Sequence, residues 1–202
     1  MKILIINNKG QYNHRIGRSL RYLKIPSELV SNELSIEKIK EKNPIGLILG
    51  GGPSIDDSGN CLDYIDYSNN LDIPILGICL GHQLIAKSFG GIVSTSYTES
   101  YAQIEIDIIK YDFLFNGIDS PMKVWTSHKD EVKSVNNEFE IIASSCFCDV
   151  EAMKHKQKEI YGIQFHPEVH HTPKGELIFK NFYNICENYK IWNSFWFKVF
   201  KL

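Results

Sequence analysis

The sequence predicts an α/β protein with an open, mostly parallel sheet, helices on both faces and an additional β-hairpin region. Short apolar runs alternate with amphipathic stretches at helical spacing from residue 3 to residue 91. This alternation is typical of parallel strands joined by right-handed crossover helices. Beyond residue 91, polar and apolar residues alternate and no long helix intervenes until the C-terminal part, which predicts the hairpin region.

In the first half of the chain, strands are predicted where β-branched residues and leucines cluster, and helices where apolar residues recur every three or four positions. The strands are residues 3–6, 28–30, 45–49 and 73–78. The helices are residues 15–24, a segment that begins after Ser35 as N-cap and runs through Lys42, and residues 80–88.

In the second half, residues 102–109 belong to the predicted hairpin region, and strands follow at residues 123–126, 140–143, 151–154 and 160–166. A last amphipathic helix is predicted at residues 177–187. The strand that ends at His166 matters most. The imidazole of His166 would lie at the carboxyl edge of the sheet, where open α/β sheets bind their ligands.

Composition narrows the class of protein. A chain of 202 residues suits one domain, and a formal charge of -2 suggests no nucleic-acid partner. Five cysteines, an odd number, favour reduced thiols in the cytoplasm, and no metal site is predicted. We predict one domain at residues 1–189 and an accessory aromatic and basic tail at 190–202, with no membrane association.

Cys79 stands where a predicted strand meets a predicted helix. Gly77 precedes it by two residues and Gly81 follows it by two, which is the pattern of a nucleophile elbow with cysteine in place of serine. So tight a turn leaves no room for a Cβ on either side, and the following helix N-terminus favours a thiolate. The alternative is a structural cysteine buried in the core.

Two further segments complete a possible catalytic site. A glycine-rich loop, residues 50–54, follows the third strand, and its Gly52 N–H could form an oxyanion hole with the Leu80 N–H. A flexible turn is the alternative for this loop. His166 could act as the base for the thiol, and Glu168 could orient its ring.

These three motifs, in this order, resemble the class I glutamine amidotransferases over residues 3–186, which implies their flavodoxin-like fold. The resemblance implies that Cys79 attacks the side-chain amide of glutamine and that a γ-glutamyl thioester is then hydrolysed. It assigns His166 as base and then acid, Glu168 as its partner, and Gln83 to holding the substrate. The start of the chain, residues 7–9, departs from the usual Asp-x-Gly-Gly pattern.

One segment points to a branch of this family. Residues 125–132 resemble the Ser-His-x-Asp-x-Val segment of GMP synthases, although a polar turn between strands is the alternative. The resemblance places Ser127 and His128 at the substrate and Lys129 and Asp130 at a partner interface. It implies the separate glutaminase subunit of a two-subunit, archaeal-type enzyme.

The resemblance also implies a partner, because the chain lacks the phosphate loop of an ATP pyrophosphatase domain. That partner subunit would bind ATP, magnesium and XMP, and this chain would need no cofactor. Three other functions stay open: a glutaminase subunit for anthranilate or aminodeoxychorismate synthesis, a stand-alone cysteine hydrolase or peptidase, and a catalytically silent regulatory module.

Overall fold

The computed structural model describes residues 1–71 and 73–199. The strands in these ranges are β1 (Ile3–Asn7), β2 (Ser27–Ser31), β3 (Gly46–Leu49), β4 (Ile75–Ile78), β5 (Ile92–Ile108), β6 (Met122–Ser134), β7 (Phe139–Ser144), β8 (Ala152–His155) and β9 (Ile160–Ile163). The α-helices are α1 (Asn13–Tyr22), α2 (Ile36–Glu41), α3 (Cys61–Leu71), α4 (Leu80–Ser88) and α5 (Gly175–Val199). The strands form one sheet in the order β2-β1-β3-β4-β9-β8-β7-β5-β6.

Five neighbouring strands, β2-β1-β3-β4-β9, are parallel. This is the strand order of a flavodoxin-like sheet, so the predicted fold class is confirmed. The carboxyl ends of β1, β3, β4 and β9 lie at one edge. The segments that follow these strands carry the first loop, the glycine-rich loop, Cys79 and His166, and the fold therefore brings them to the same rim.

Both faces of the parallel half are covered by helices. Successive residues of β1 point to opposite faces: Ile3 and Ile5 belong to one buried cluster, and Leu4 and Ile6 belong to another. The first cluster includes residues of α1 and α5, and the second includes residues of α2, α3 and α4. Burying one Leu or Ile side chain fully contributes about 1.5–3 kcal/mol, so these layers hold the rim in place.

The other half of the sheet is antiparallel. Strands β5 and β6 form a long hairpin, with register shifts between residues 92 and 100, at the end farthest from the hairpin turn. Strands β7 and β8 connect the hairpin to β9. The hairpin is longer than predicted, because β5 begins at Ile92 instead of residue 102. Residues 127–130 lie inside β6, so the alternative that they form a polar turn is wrong.

Strand β9 and helix α3 also differ from the sequence-based expectation. The strand β9 ends at Ile163, three residues before His166, and residues 164 and 165 form a bend. Helix α3 was not predicted, because its last turns contain Ser68, Asn69 and Asn70, residues that form helices poorly. Its signal was the spacing of the buried residues Cys61, Tyr64 and Ile65.

The C-terminal helix extends beyond its predicted end. Helix α5 runs unbroken from Gly175 to Val199 and crosses the predicted domain limit at residue 189. The last three residues of the predicted tail, 200–202, lie outside the described residues. The division at 190 and the accessory role of the tail stay predictions. Across residues 1–71 and 73–199, no helix combines the length and apolar character needed to cross a membrane.

Candidate active site

The turn at Cys79 has the geometry of a nucleophile elbow. Cys79 adopts φ 52° and ψ -105°, a strained backbone conformation that costs roughly 1–3 kcal/mol and is found mainly where function requires it. A Cβ on Gly77 would lie 2.4 Å from Gly81 C and O, and a Cβ on Gly81 would lie 2.3 Å from Leu49 O. The predicted reason for both glycines, close approach of strand and helix, is therefore confirmed.

The elbow is tied to the strand that leads to His166. Strands β4 and β9 pair in parallel with Ile78 opposite Ile163, and the Cys79 N–H donates to Ile163 O at 2.9 Å. The His166 N–H donates to Trp125 O at 2.9 Å, and the Thr172 hydroxyl donates to His166 O at 2.7 Å. These bonds hold the backbone of the candidate base beside the elbow.

The imidazole of His166 is buried between Cys79 and Glu168. Its Nδ1 lies 2.8 Å from Glu168 Oε1. Burial lowers the pKa of His166, but the Glu168 carboxylate and a hydrogen bond with Cys79 outweigh this effect, so the pKa lies well above its ordinary value. A raised pKa favours the imidazolium form of this ring, which stabilises an anion on the neighbouring sulfur. Tyr12 packs edge-on against it, with ring centroids 4.9 Å apart.

Two clefts meet at Cys79. One of about 260 Å³ is lined by the first loop, the glycine-rich loop, Cys79, Ser127 and His166. The other, about 380 Å³, lies on the β6 side and is lined by Cys79, Leu80 and Gln83 together with the whole segment 127–130. The predicted substrate residues therefore share one cleft with the sulfur, although their binding roles stay predictions. The role of Lys129 and Asp130 at a partner interface also stays a prediction.

Part of this predicted substrate segment is buried. His128 is 5% exposed, and burial lowers the pKa of its imidazole, with Glu131 opposing the shift and His166 adding to it. Nearby His82 is completely buried, and its Nε2 lies 3.1 Å from Val150 O. Burial lowers the pKa of His82 to about 3, so this ring is neutral and acts in packing α4 against the sheet.

The glycine-rich loop is held by two asparagines that sequence reasoning did not single out. The Asn8 Nδ2 donates to Gly50 O at 2.9 Å, and the Asn13 Nδ2 donates to Gly51 O at 3.0 Å. Gly52 lies against Leu80, since a Cβ there would stand 2.5 Å from Leu80 Cδ2. Gly52 and Leu80, the residues proposed to supply the oxyanion donors, therefore pack against each other, and the role of their N–H groups stays a prediction. The signal in the sequence that could have indicated these contacts was the presence of asparagines directly after the first strand.

Replacing Asn13 with alanine should lower kcat by roughly ten- to a hundredfold with little change in KM. The Gly51 carbonyl and the Gly52 N–H belong to one rigid peptide plane, so losing the bond to Gly51 O lets the N–H reorient. Steady-state glutamine hydrolysis measures this. Asn8→Ala, which releases the neighbouring peptide instead, should reduce stability more than kcat. Equal kcat losses in the two variants would contradict the assignment.

Two buried carboxylates lie behind the substrate segment. Glu131 is 4% exposed and Glu151 is completely buried. Burial raises the pKa of Glu151 to about 7; the Ser145 hydroxyl, which donates to Oε1 at 2.8 Å, opposes the rise, and Glu131 adds to it. Glu151 is therefore protonated over part of the range in which an exposed glutamate would be ionised.

Glu151→Gln should flatten the pH dependence of stability between about pH 4.5 and 7. In this window the folded wild-type protein binds more protons than the unfolded chain, so its free energy of unfolding falls as pH rises. The glutamine variant should lack this loss, roughly 2–3 kcal/mol, as measured by urea unfolding at several pH values. Glu41→Gln, at an exposed helix position, is the control and should keep the wild-type slope. Identical slopes for the wild type and Glu151→Gln would refute the prediction.

Comparisons with known proteins agree with this geometry. The sequence pattern of the family described as glutamine amidotransferase class-I matches residues 4–186. The glutamine-hydrolyzing GMP synthase subunit of Methanobrevibacter smithii is 67% identical over 187 residues, which cover 93% of this chain and 97% of that protein. The protein of the same name from Methanothermobacter thermautotrophicus is 61% identical, covering 92% and 98%.

A solved structure supports the same assignment. A crystal structure of a Thermoplasma acidophilum protein, assigned provisionally as the corresponding GMP synthase subunit, superposes with a TM-score of 0.88 at 36% identity. The match covers 96% of this chain and 98% of that one. The resemblance seen in the three motifs is confirmed: this chain belongs to the class-I glutamine amidotransferase family.

Proposed function

We propose that this chain is the glutaminase subunit of a two-subunit GMP synthase. It hydrolyses glutamine to glutamate and ammonia, and the ammonia passes to an ATP pyrophosphatase subunit that converts XMP to GMP. The observation that carries the proposal is a Cys79–His166–Glu168 arrangement at a nucleophile elbow. It occurs in a chain 67% identical to the glutamine-hydrolyzing subunit of another GMP synthase.

The reaction begins with attack of the Cys79 sulfur on the side-chain amide carbon of glutamine. The carbonyl oxygen gains negative charge, and the N–H groups of Gly52 and Leu80 stabilise it. His166 donates its proton to the departing nitrogen, which leaves as ammonia, and a γ-glutamyl thioester remains on Cys79. His166, now neutral, accepts a proton from water, whose oxygen attacks the thioester carbon. The collapse of that adduct restores the imidazolium and the thiolate and releases the product with a protonated γ-carboxyl group, which loses its proton to solvent as glutamate.

Glu168 orients the His166 ring throughout this cycle. Its side chain is fully buried, and its Oε1 fixes the Nδ1 side of the ring, so the Nε2 side is left for the sulfur, the amide nitrogen and water. The carboxylate also stabilises the imidazolium at the start of the cycle. Gln83 and residues 127–130 border the cleft in which the rest of the glutamine would lie.

The proposal requires a closed path for ammonia. Ammonia released into water at neutral pH is mostly protonated and loses its nucleophilicity, so a partner must cover the site. The proposed partner supplies ATP and magnesium, and this chain supplies no cofactor. The same proposal places the enzyme in the cytoplasm, and the five free thiols support that placement.

The test is a glutaminase assay of the chain alone and with a candidate ATP pyrophosphatase subunit, XMP, ATP and magnesium. We expect weak activity alone, and glutamate release that rises with the partner and matches GMP formation in amount. Partners from anthranilate and aminodeoxychorismate synthesis are the matched controls and should not stimulate. Full activity alone that does not change with the GMP synthase partner would contradict the proposal, as would stimulation only by a control partner.

A further inference from the structure

Gln164 is a completely buried side chain that touches the reacting sulfur. Its Nε2 lies 3.9 Å from Cys79 Sγ, and its Oε1 lies 3.4 Å from Gln83 Nε2. The pairing of β4 with β9 sets this contact, because Ile78 is opposite Ile163 and the residues that directly follow the two strands are Cys79 and Gln164. Burying a carboxamide without hydrogen-bond partners costs on the order of 2 kcal/mol or more. The contacts with Cys79 and Gln83 are therefore needed to keep this side chain buried.

The hydrogen-bond network determines which end of the carboxamide faces the sulfur. Gln83 Nε2 donates to the Asp130 backbone carbonyl at 2.6 Å, and a carbonyl can only accept. The Gln164 atom near the same nitrogen must therefore be its oxygen. Its amino group then faces Cys79, where it can only donate. The Asp130 carbonyl of β6 thus fixes the Gln83 amide, and the Gln83 amide in turn fixes the orientation of the Gln164 carboxamide.

We propose that Gln164 is a positioning residue that donates an N–H bond to the Cys79 sulfur, and that Gln83 and the Asp130 carbonyl set its orientation. The inference rests on the proposed function, in which Cys79 is the nucleophile. The thiol can donate to Ser127 O, 3.9 Å away, but a thiolate has no proton to donate and needs donors. Gln164 supplies one from the side of the sulfur that faces the core.

This arrangement gives Gln83 a second role. Besides bordering the substrate cleft, Gln83 keeps the Gln164 carboxamide from turning its oxygen toward the sulfur, which would repel a thiolate. The titratable groups that share the two clefts with the sulfur lie on the first loop, β5, β6 and the segment after β9: Lys9, Tyr12, Tyr101, His128, Lys129, Asp130 and His166. Glu168 stands behind His166.

The experiment measures the rate of Cys79 alkylation by iodoacetamide against pH, with peptides quantified by mass spectrometry. Exposed Cys146 is the internal reference in every sample. In Gln164→Glu, the donor is lost and a negative charge is added, so the pH of half-maximal alkylation should rise by about one unit or more. Gln164→Leu, of similar size but without a donor, should shift it in the same direction by less. Gln83→Leu should also raise it, because the Gln164 amide can then turn.

The matched control is Gln157→Glu, which adds the same charge at an exposed turn between β8 and β9, at the opposite edge of the sheet. Its Cys79 profile should equal that of the wild type. Unchanged profiles in folded Gln164→Glu and Gln164→Leu would overturn the inference, whatever happens to activity. If neither variant folds by thermal melting, the Gln83→Leu profile decides in the same way.

The alkylation assay needs no glutamine and no partner, so the two proposals can fail separately. Shifted profiles in the variants, with no glutaminase activity in the wild type even when the candidate partner, XMP, ATP and magnesium are present, would count against the proposed function and support the inference. Glutaminase activity in the wild type with unshifted profiles would count against the inference alone.

Discussion

Cys79→Ala is expected to abolish glutamine-dependent turnover while product formation from added ammonia by the partner complex continues. No other atom at the elbow can carry the acyl group, so the loss should be on the order of 10⁴- to 10⁶-fold, as for other nucleophile deletions. Alanine has the same Cβ as cysteine at φ 52°, so the backbone strain is unchanged and the variant should fold. Glutamate release and GMP formation from ammonium chloride measure the two activities.

The matched control is Cys146→Ala, the same substitution at an exposed thiol. It should leave both activities at the wild-type level. Glutamine-dependent turnover within about tenfold of wild type in Cys79→Ala would contradict the assignment of the nucleophile. Loss of the ammonia-dependent activity as well would mean that the substitution acts on the complex rather than on the chemistry.

Gly77→Ala is expected to lower the free energy of unfolding by about 3 kcal/mol or more and to remove most glutaminase activity. Its Cβ would stand 2.4 Å from the Gly81 carbonyl and 2.6 Å from the His82 nitrogen. These are backbone atoms and cannot rotate away, so β4 and α4 must separate. At this chain length, each kcal/mol lowers Tm by roughly 2–4 °C, so thermal and urea unfolding can detect the change.

Gly17→Ala is the matched control for this substitution. Gly17 lies inside α1, and the nearest atom to an added Cβ is Ile5 Cδ1 at 3.6 Å, an ordinary contact. Because alanine loses less backbone entropy than glycine in a helix, this variant should gain about 0.5–1 kcal/mol. A Gly77→Ala protein as stable as Gly17→Ala would show that the elbow does not need its glycine.

The elbow could be predicted from sequence because its steric requirement is local. Gly77, Cys79 and Gly81 lie within five consecutive positions, and the tight turn that brings their backbones together dictates their identities. The strands β1, β3 and β4 were predicted for a similar reason, since buried parallel strands appear as continuous apolar runs. Helix α3 was not predicted, because aspartates and asparagines interrupt its apolar positions and weaken the local pattern.

Contacts between distant segments could not be predicted in this way. The bond from Asn13 to Gly51 joins α1 to the loop after β3, and the bond from Gln83 to Asp130 joins α4 to the hairpin. Which segments meet depends on strand order, and no local pattern encodes that β9, rather than a strand nearer in sequence, lies beside β4. No local pattern indicated the bend at residues 164 and 165, which leaves His166 three residues beyond the end of β9.

The sequence alone determined the chemistry available to this protein: a cysteine at an elbow, a histidine and a glutamate two residues apart, and a glycine loop, with the family that combines them. Only the tertiary structure decided how these groups support one another. It placed the His166 imidazole against Glu168, two asparagines against the glycine loop and the Gln164 amide beside the Cys79 sulfur. The physical reason is that residue identities set which bonds can form, whereas packing of the sheet sets which of them do.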